Sequence, residues 1–531
     1  MDQDFHYYGT YYAAQMSGYA KADANLIGQA ANFIDFLSET AYGGYWKLVY
    51  DDARKTKGFL TDSYTVVGEV ENPRYTFQAG KVSAGSSPED GLWCSYHFPP
   101  GNFTDSEAPS IKDVHGDELA HLLPNHELRT LGSGVSAEHG RLLNRPLSPL
   151  SRLLIRDTID RLTKPGRLKQ ILDYAVGHDA LLSCSKSELD KLVRRFGLIL
   201  LGVRSHVLAD TWAHQDFAGV SAEVNTYFDV KGELGRQSID YVDVGGPDNW
   251  KNVVLETSSA LFGNSNFESV PNGTSYLGHG WMGHFPDYSF VKFRYKPWWA
   301  GEKAKPLVRD NPVHYHNAML ELCSLMSQCC DGRRFAPGPH RARLAMADAA
   351  IEKPCDLAVK SNVPRYESAK SWDEYMPRVG FPKPTFIDTR LEPDEPARLP
   401  GLQDSSIATF TRFGDYFVRI SSDLYLFQIA ADYHFHTVKR YLKAKDVRTF
   451  EGSWSQENAA LVGDLDALFA PPRVAPPIEA PPMVSAVKKP VASPKSAVDS
   501  EPPHPRAPKP ATPDPVKSVG IVSSSPSSTP S

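Results

Sequence analysis

Between Phe196 and Phe217 the chain runs F-G-L-I-L-L-G-V-R-S-H-V-L-A-D-T-W-A-H-Q-D-F. The first eight residues are apolar or glycine, a pattern that places a helix in the interior rather than on a surface. Polar residues then recur at intervals of four: His206, Asp210 and His214. A helix advances about 100° per residue, so each step of four drifts by about 40° and the three side chains share one stripe. Two imidazoles and a carboxylate on a buried helix need compensation for lost hydration. A divalent metal supplies it, and zinc accepts histidine nitrogen and carboxylate oxygen alike. The competing reading is three polar groups at the solvent end of a helix, held by ordinary hydrogen bonds.

Outward from this helix the chain reads as mainly α, with long irregular loops. Apolar residues at helical spacing run from Lys21 to Leu37 and from Pro149 to Val176, with a break expected at Pro165-Gly166. Further helices are expected near 313–328, 341–352, 420–443 and 456–469. Residues 60–110 and 225–300 are rich in Gly, Pro, Tyr, Trp and Asn, with short β-like runs such as Y-T-V-V at 64–67. Long loops of this kind usually carry function. Four segments result: a metal-binding core over 1–350, an irregular Pro-rich excursion over 351–405, helices packing on the core over 406–469, and a tail over 470–531. Pro, Ala and Ser dominate the tail, so it cannot bury enough apolar surface to offset its ordering entropy and is expected to be disordered. A protein partner docking on it is the rival to a plain tail.

Two more segments offer ligands. L-G-H-G-W-M-G-H-F-P-D-Y at 277–288 carries His279, His284 and Asp287 among three glycines. Glycine permits the close backbone approach that metal loops require; an aromatic surface loop with incidental histidines is the alternative. The opening D-Q-D-F-H-Y-Y carries His6 and leads to Asp35 in N-F-I-D-F. A carboxylate among Phe33, Ile34 and Phe36 is costly unless ligated or paired, by a metal or by a neighbouring helix.

With 531 residues, 41% of them hydrophobic, the chain can bury a large core. A net charge of −6 and a pI near 6.3 give no basic excess to favour nucleic acid or an anionic membrane. Six cysteines lack framework spacing, which reads as reduced, buried thiols in a reducing compartment. The opening residues lack a signal-peptide pattern and no apolar run reaches about 18 residues. The expectation is a cytoplasmic protein without a spanning helix, with non-classical export as the other route. N-x-T triplets at Asn102 and Asn272 then read as chance.

Together, a histidine near the start, Asp35, the H-x3-D-x3-H helix and the His-rich loop resemble the zinc-dependent phospholipase C and single-strand-specific nuclease superfamily. The opening D-F-H-Y-Y with Asp35 is also similar to an uncharacterised bacterial family related to it. The resemblance covers roughly residues 1–40 and 195–290. It implies a helical metal-hydrolase-like fold whose two or three zinc ions hydrolyse a small-molecule or lipid phosphate ester. It implies that His206 and Asp210 form the H-x3-D pair, with Asp210 bridging metals. Asp35 becomes a ligand and general base, and His6, His214 and His279 become further ligands. One more histidine is expected between the first helix and the H-x3-D helix, with His97 and His126 as candidates. The secreted relatives use an N-terminal Trp; here Asp2 or Asp4 would have to substitute. The family's second His-x3-Glu is missing, so His279, His284 and Asp287 would fill its place.

Two rivals remain. An HD-type phosphohydrolase would use His178-Asp179 with His139 and Asp210. A non-catalytic helical interaction or effector protein would keep the sites as structural. The aromatic residues at 281–299 suit a lipid, a stacked base or simple loop packing.

Overall fold

The computed structural model describes residues 1–37, 45–51, 64–71, 75–76, 90–125, 127–176, 185–228, 238–242, 250–254, 277–353, 364–385 and 415–449. A π-helical turn, Asp4–Gly9, opens the chain. The helices that follow are α1 (Thr10–Met16), α2 (Lys21–Phe33), α3 (Asp90–Tyr96), α4 (Ile111–His115), α5 (Asp117–Ala120), α6 (Ala137–Arg141), α7 (Pro149–Thr163), α8 (Arg167–Val176), α9 (Lys186–Ala213), α10 (Asn311–Asp331), α11 (Pro337–Glu352), α12 (Pro364–Tyr375) and α13 (Asp423–Ala444). The strands are β1 (Tyr45–Asp51), β2 (Tyr64–Glu71), β3 (Tyr227–Phe228), β4 (Ser238–Val242), β5 (Trp250–Val254), β6 (Lys292–Pro297), β7 (Leu307–Asp310) and β8 (Asp415–Arg419). The protein is mainly helical, as its sequence pattern requires.

Helix α9 is the axis of the fold. Ser185 and Glu188 form a reciprocal capping box at its start, satisfying two backbone donors that would otherwise be orphaned. Every residue from Phe196 to Ala213 is buried. Helices α2, α13, α10 and α7 surround it, which is how an all-apolar helix surface is satisfied. The crossing with α2 is close because residue 202 is glycine: a Cβ there would lie 2.5 Å from the Ile27 carbonyl oxygen.

Two small sheets flank the helices. One has the order β2-β1-β8, with β1 antiparallel to β2 and parallel to β8, Tyr45 pairing with Asp415. The other is built on β6, which pairs antiparallel with β3, β4 and β7, while β4 also pairs with β5. In β6 buried and half-buried residues alternate, placing Phe293 and Tyr295 inward. Among the described residues, no helix is long and apolar enough to cross a membrane.

Three expectations need correction. The N-terminal residues form two buried helical segments, the π-helical turn and α1, rather than a lead-in, because Phe5, Tyr7, Tyr11 and Tyr12 pack into the core on all sides. The excursion over 351–405 contains α12, whose Trp372 is fully buried and lies in ring contact with Phe5 and Tyr12. The thiols are not all buried: Cys94 and Cys323 are, whereas Cys330 is exposed. The break between α7 and α8 falls where it was expected, with Gly166 at φ 78°. Asn102 is 7% exposed and its amide bonds to Gly140 O and Arg129 N, so it is no glycosylation acceptor in the fold. The helix expected at 456–469, the tail, Asn272, His126 and the His178-Asp179 doublet lie outside the described residues.

Candidate metal centre

Helix α9 presents its ligand stripe to a small volume that three other segments reach. His206 and Asp210 are fully buried on α9, and His214 is the residue just beyond its end. His6 comes from the π-helical turn. Asp35 sits in the turn after α2 rather than on the helix, with its side chain 29% exposed. His97 follows α3 and reaches the site; His126, the other candidate for the additional histidine, lies outside the described residues. His279 and Asp287 come from the Gly-rich loop before β6.

Asp210 lies at the middle. Its Oδ2 is 3.1 Å from His206 Nε2 and 3.3 Å from His97 Nδ1; its Oδ1 is 3.1 Å from His6 Nε2 and 2.6 Å from the Met1 α-amino nitrogen. Asp35 Oδ1 closes the His97 and His206 side at 3.8 Å from each. A second focus is Asp287 Oδ1, which is 2.9 Å from His214 Nε2 and 3.3 Å from His279 Nε2. The sets His6/Asp35/His206, His97/His206/Asp210 and His214/His279/Asp287 each bring one ligand atom per residue within 4.8 Å of one another. His284 stands apart from these sets. Its Nδ1 is 3.1 Å from Asp287 Oδ2. Asp4 Oδ2 accepts the Ser289 hydroxyl at 2.8 Å, and burial pushes its carboxyl up to about 8.

The far nitrogens of four imidazoles are tied to backbone carbonyls. His206 Nδ1 donates to Ala31 O, His97 Nε2 to Thr76 O, His214 Nδ1 to His97 O and His279 Nδ1 to Gly283 O, all at 2.8–2.9 Å. Each ring therefore turns its other nitrogen toward the carboxylates. A ring that stays neutral then points a lone pair at oxygen lone pairs, which is repulsive unless a cation sits between them; at His97 burial lowers the ring, but its hydrogen bond to Asp210 and the Asp35 and Asp210 charges outweigh it and raise it. Metal-bound histidines are held in this way. The donor set fits a metal on a second count. Both ring nitrogens of His6 and Asp210 Oδ2 are buried without a hydrogen bond, a cost that ligation removes.

The electrostatics agree. Burial raises the Asp210 carboxyl, but His214, the Met1 amine, His206 and His6 outweigh it and hold it well below the usual carboxylate range. Burial likewise opposes Asp287, and His279 and the amine overcome it. At Asp35 burial wins and the carboxyl is raised. Burial pushes His214 down to about 4, so its ring is a neutral donor at ordinary pH. Among the described residues, ion pairs to these three carboxylates come from imidazoles and the Met1 amine, with no Lys or Arg.

Phe98 walls one side, its ring 4.7 Å from His214 and 5.7 Å from His279. Gly278, at φ 54°, leaves it room: a Cβ there would meet the Phe98 ring at 2.2 Å. Gly278→Ala is therefore expected to displace Phe98, to cost on the order of 1–3 kcal/mol and to lower metal retention. A variant with wild-type melting and metal content would refute that packing. Most of the aromatic run at 281–299 is core packing: Phe285, Tyr288, Phe290, Phe293, Tyr295 and Trp299 are buried, while Trp298 is partly exposed. His139, needed by the HD-type reading, is exposed on α6 and belongs to none of the ligand sets.

A family model described as "Family of unknown function (DUF6765)" matches residues 1–442. No curated protein and no solved structure matches the chain.

Proposed function

We propose, for a chain that belongs to the family of unknown function DUF6765, that it is a zinc-dependent phosphoesterase. What carries the reading is the set of four backbone-anchored imidazoles turned toward three carboxylates. Nitrogen-rich sites with carboxylates favour zinc over calcium or magnesium. One group would be held by Asp35, His97, His206 and Asp210, another by His214, His279 and Asp287, with His6 on the other oxygen of Asp210. The order of these residues along the chain agrees with the resemblance to the zinc phospholipase C and nuclease superfamily. Bound there, zinc supplies the Lewis acidity that makes water a nucleophile near neutral pH and offsets phosphate charge.

The chain's own residues do the rest. Asp35 is the carboxylate of the cluster with the most exposed side chain, so it orients the attacking water and accepts its proton. His284 holds Asp287 in position. The carbonyls of Ala31, Thr76, His97 and Gly283 fix the ring orientations.

The test is hydrolysis of a panel of chromogenic phosphomonoesters and phosphodiesters. The expected result is turnover that chelation abolishes and zinc restores. A metal-loaded protein inert toward the whole panel would overturn the catalytic reading and leave a structural metal centre.

A further inference from the structure

The face of α9 opposite the ligands carries a second polar cluster. Trp212 lies two residues from both Asp210 and His214, about 200° around the helix from each. It is fully buried, and its indole Nε1–H donates to Glu321 Oε2 of α10 at 2.5 Å. Glu321 is also fully buried. Its Oε1 has no hydrogen bond and faces His115 Nε2 of α4 at 3.7 Å. His115 Nδ1 lies 3.0 Å from Ser324 Oγ, and Gln328 Nε2 donates to Ser324 O and to Val114 O. From β7, two residues before α10 begins, Arg309 donates to the carbonyls of Trp212, Ala213 and Gln215 at 2.6–3.1 Å. The carbonyls of Trp212 and Ala213 close α9 and have no backbone partner within the helix.

A carboxyl group in an apolar core is costly, and a hydrophobic residue of its size would pack there without that cost. What Glu321 adds is direction. Apolar packing tolerates small rotations of a helix, whereas a hydrogen bond to an indole does not. Side-chain tips lie about 5–6 Å from a helix axis, so a rotation of about 10° moves a ligand atom by about 1 Å. Metal and catalytic sites lose function at that scale.

We infer that Glu321 and Trp212 are a positioning pair for the metal centre, fixing the rotation of the last turn of α9 so that Asp210 and His214 meet the ion. The inference rests on the metal reading above, and its test separates the two. Zinc affinity by competition, the visible absorption of the cobalt(II)-substituted protein and the melting temperature of the metal-free protein are measured for the wild type and three variants. Glu321→Leu removes the acceptor, Trp212→Phe removes the donor, and Glu321→Gln keeps an oxygen for the indole. Glu321→Leu and Trp212→Phe are expected to weaken zinc binding by about tenfold and to alter the cobalt spectrum. Metal-free melting of Glu321→Leu should stay near that of the wild type, because removing a buried carboxyl in favour of an apolar group is often neutral or stabilising, whereas Trp212→Phe, which leaves the carboxyl without its donor, should melt lower. Glu321→Gln should restore affinity and spectrum. Wild-type affinity in both Glu321→Leu and Trp212→Phe would overturn the inference alone. So would a loss of affinity that follows the loss of melting temperature across all three variants. A wild type that binds no zinc would overturn the metal reading and the pair's role with it.

Discussion

Asp210→Asn is expected to fold, to lose more metal than His279→Ala, and to lose all phosphoesterase activity. The two oxygens of Asp210 face different partners, Oδ1 toward His6 and the Met1 amine and Oδ2 toward His97 and His206. A carboxylate so placed would serve both sides of a metal cluster, whereas His279 would serve the Asp287 side alone. Asn keeps the shape, so packing around this fully buried site barely changes. It removes the charge between cations. Two unit charges about 4 Å apart repel by about 4 kcal/mol at an effective dielectric near 20, and divalent ions by about four times that. No neighbouring Lys or Arg is left unpaired, and the Met1 amine, which loses Asp210, keeps Asp287 Oδ1 at 3.4 Å, which limits the penalty to the fold. Elemental analysis and phosphodiester turnover of the two variants check this, with melting as the control. Wild-type metal content in Asp210→Asn would refute the bridging role.

Asp216→Asn is expected to act on stability, by about 3–5 kcal/mol. Asp216 is buried just past His214 and gathers three guanidinium groups. Arg129 Nε and Arg145 Nη1 each donate to Oδ1 at 2.7 Å, Arg129 Nη2 donates to Oδ2 at 3.0 Å, and Arg309 Nη1 lies 3.8 Å from Oδ2. Arg145 is 4% exposed and Arg309 1%. Without the carboxylate, two buried cations lose their counter-charge, and that loss costs more than the pair itself contributes. Asparagine tolerates the positive φ of 77° at this position, so the backbone does not confound the result. A denaturant midpoint within about 0.5 kcal/mol of wild type, the range of ordinary surface substitutions, would contradict this account.

The parts of this fold that were legible in the sequence are those with a clear period. In α9 an apolar run and a step of four fixed both burial and the ligand stripe, and Pro165-Gly166 marked the break between α7 and α8. The buried N-terminal turns were not legible, because Phe5, Tyr7, Tyr11 and Tyr12 are covered on every side and leave no polar face to set a phase. Helix α12 was hidden by Pro-rich surroundings, although Trp372 within it is a core residue. The pairing of β1 with β8 joins residues 45 and 415, a separation no local pattern reports.

The site divides the same way. His206, Asp210 and His214 are neighbours in sequence and in space. His97 and His126 could not be separated, since only the packing of α3 brings His97 to Asp210. The spacing of the Gly-rich loop does not reveal that His279 lies within the ligand sets while His284 lies against the other oxygen of Asp287. The Glu321 and Trp212 contact joins two helices 109 residues apart and left no motif.

Metal content of the wild-type protein tests the central claim most directly. After exhaustive dialysis, elemental analysis is predicted to find about two or more zinc ions per chain, held by the His206 and Asp210 group and the His279 and Asp287 group. Less than about half an ion of any divalent metal per chain would contradict the account, because multi-ligand sites of this kind do not release their ions on dialysis.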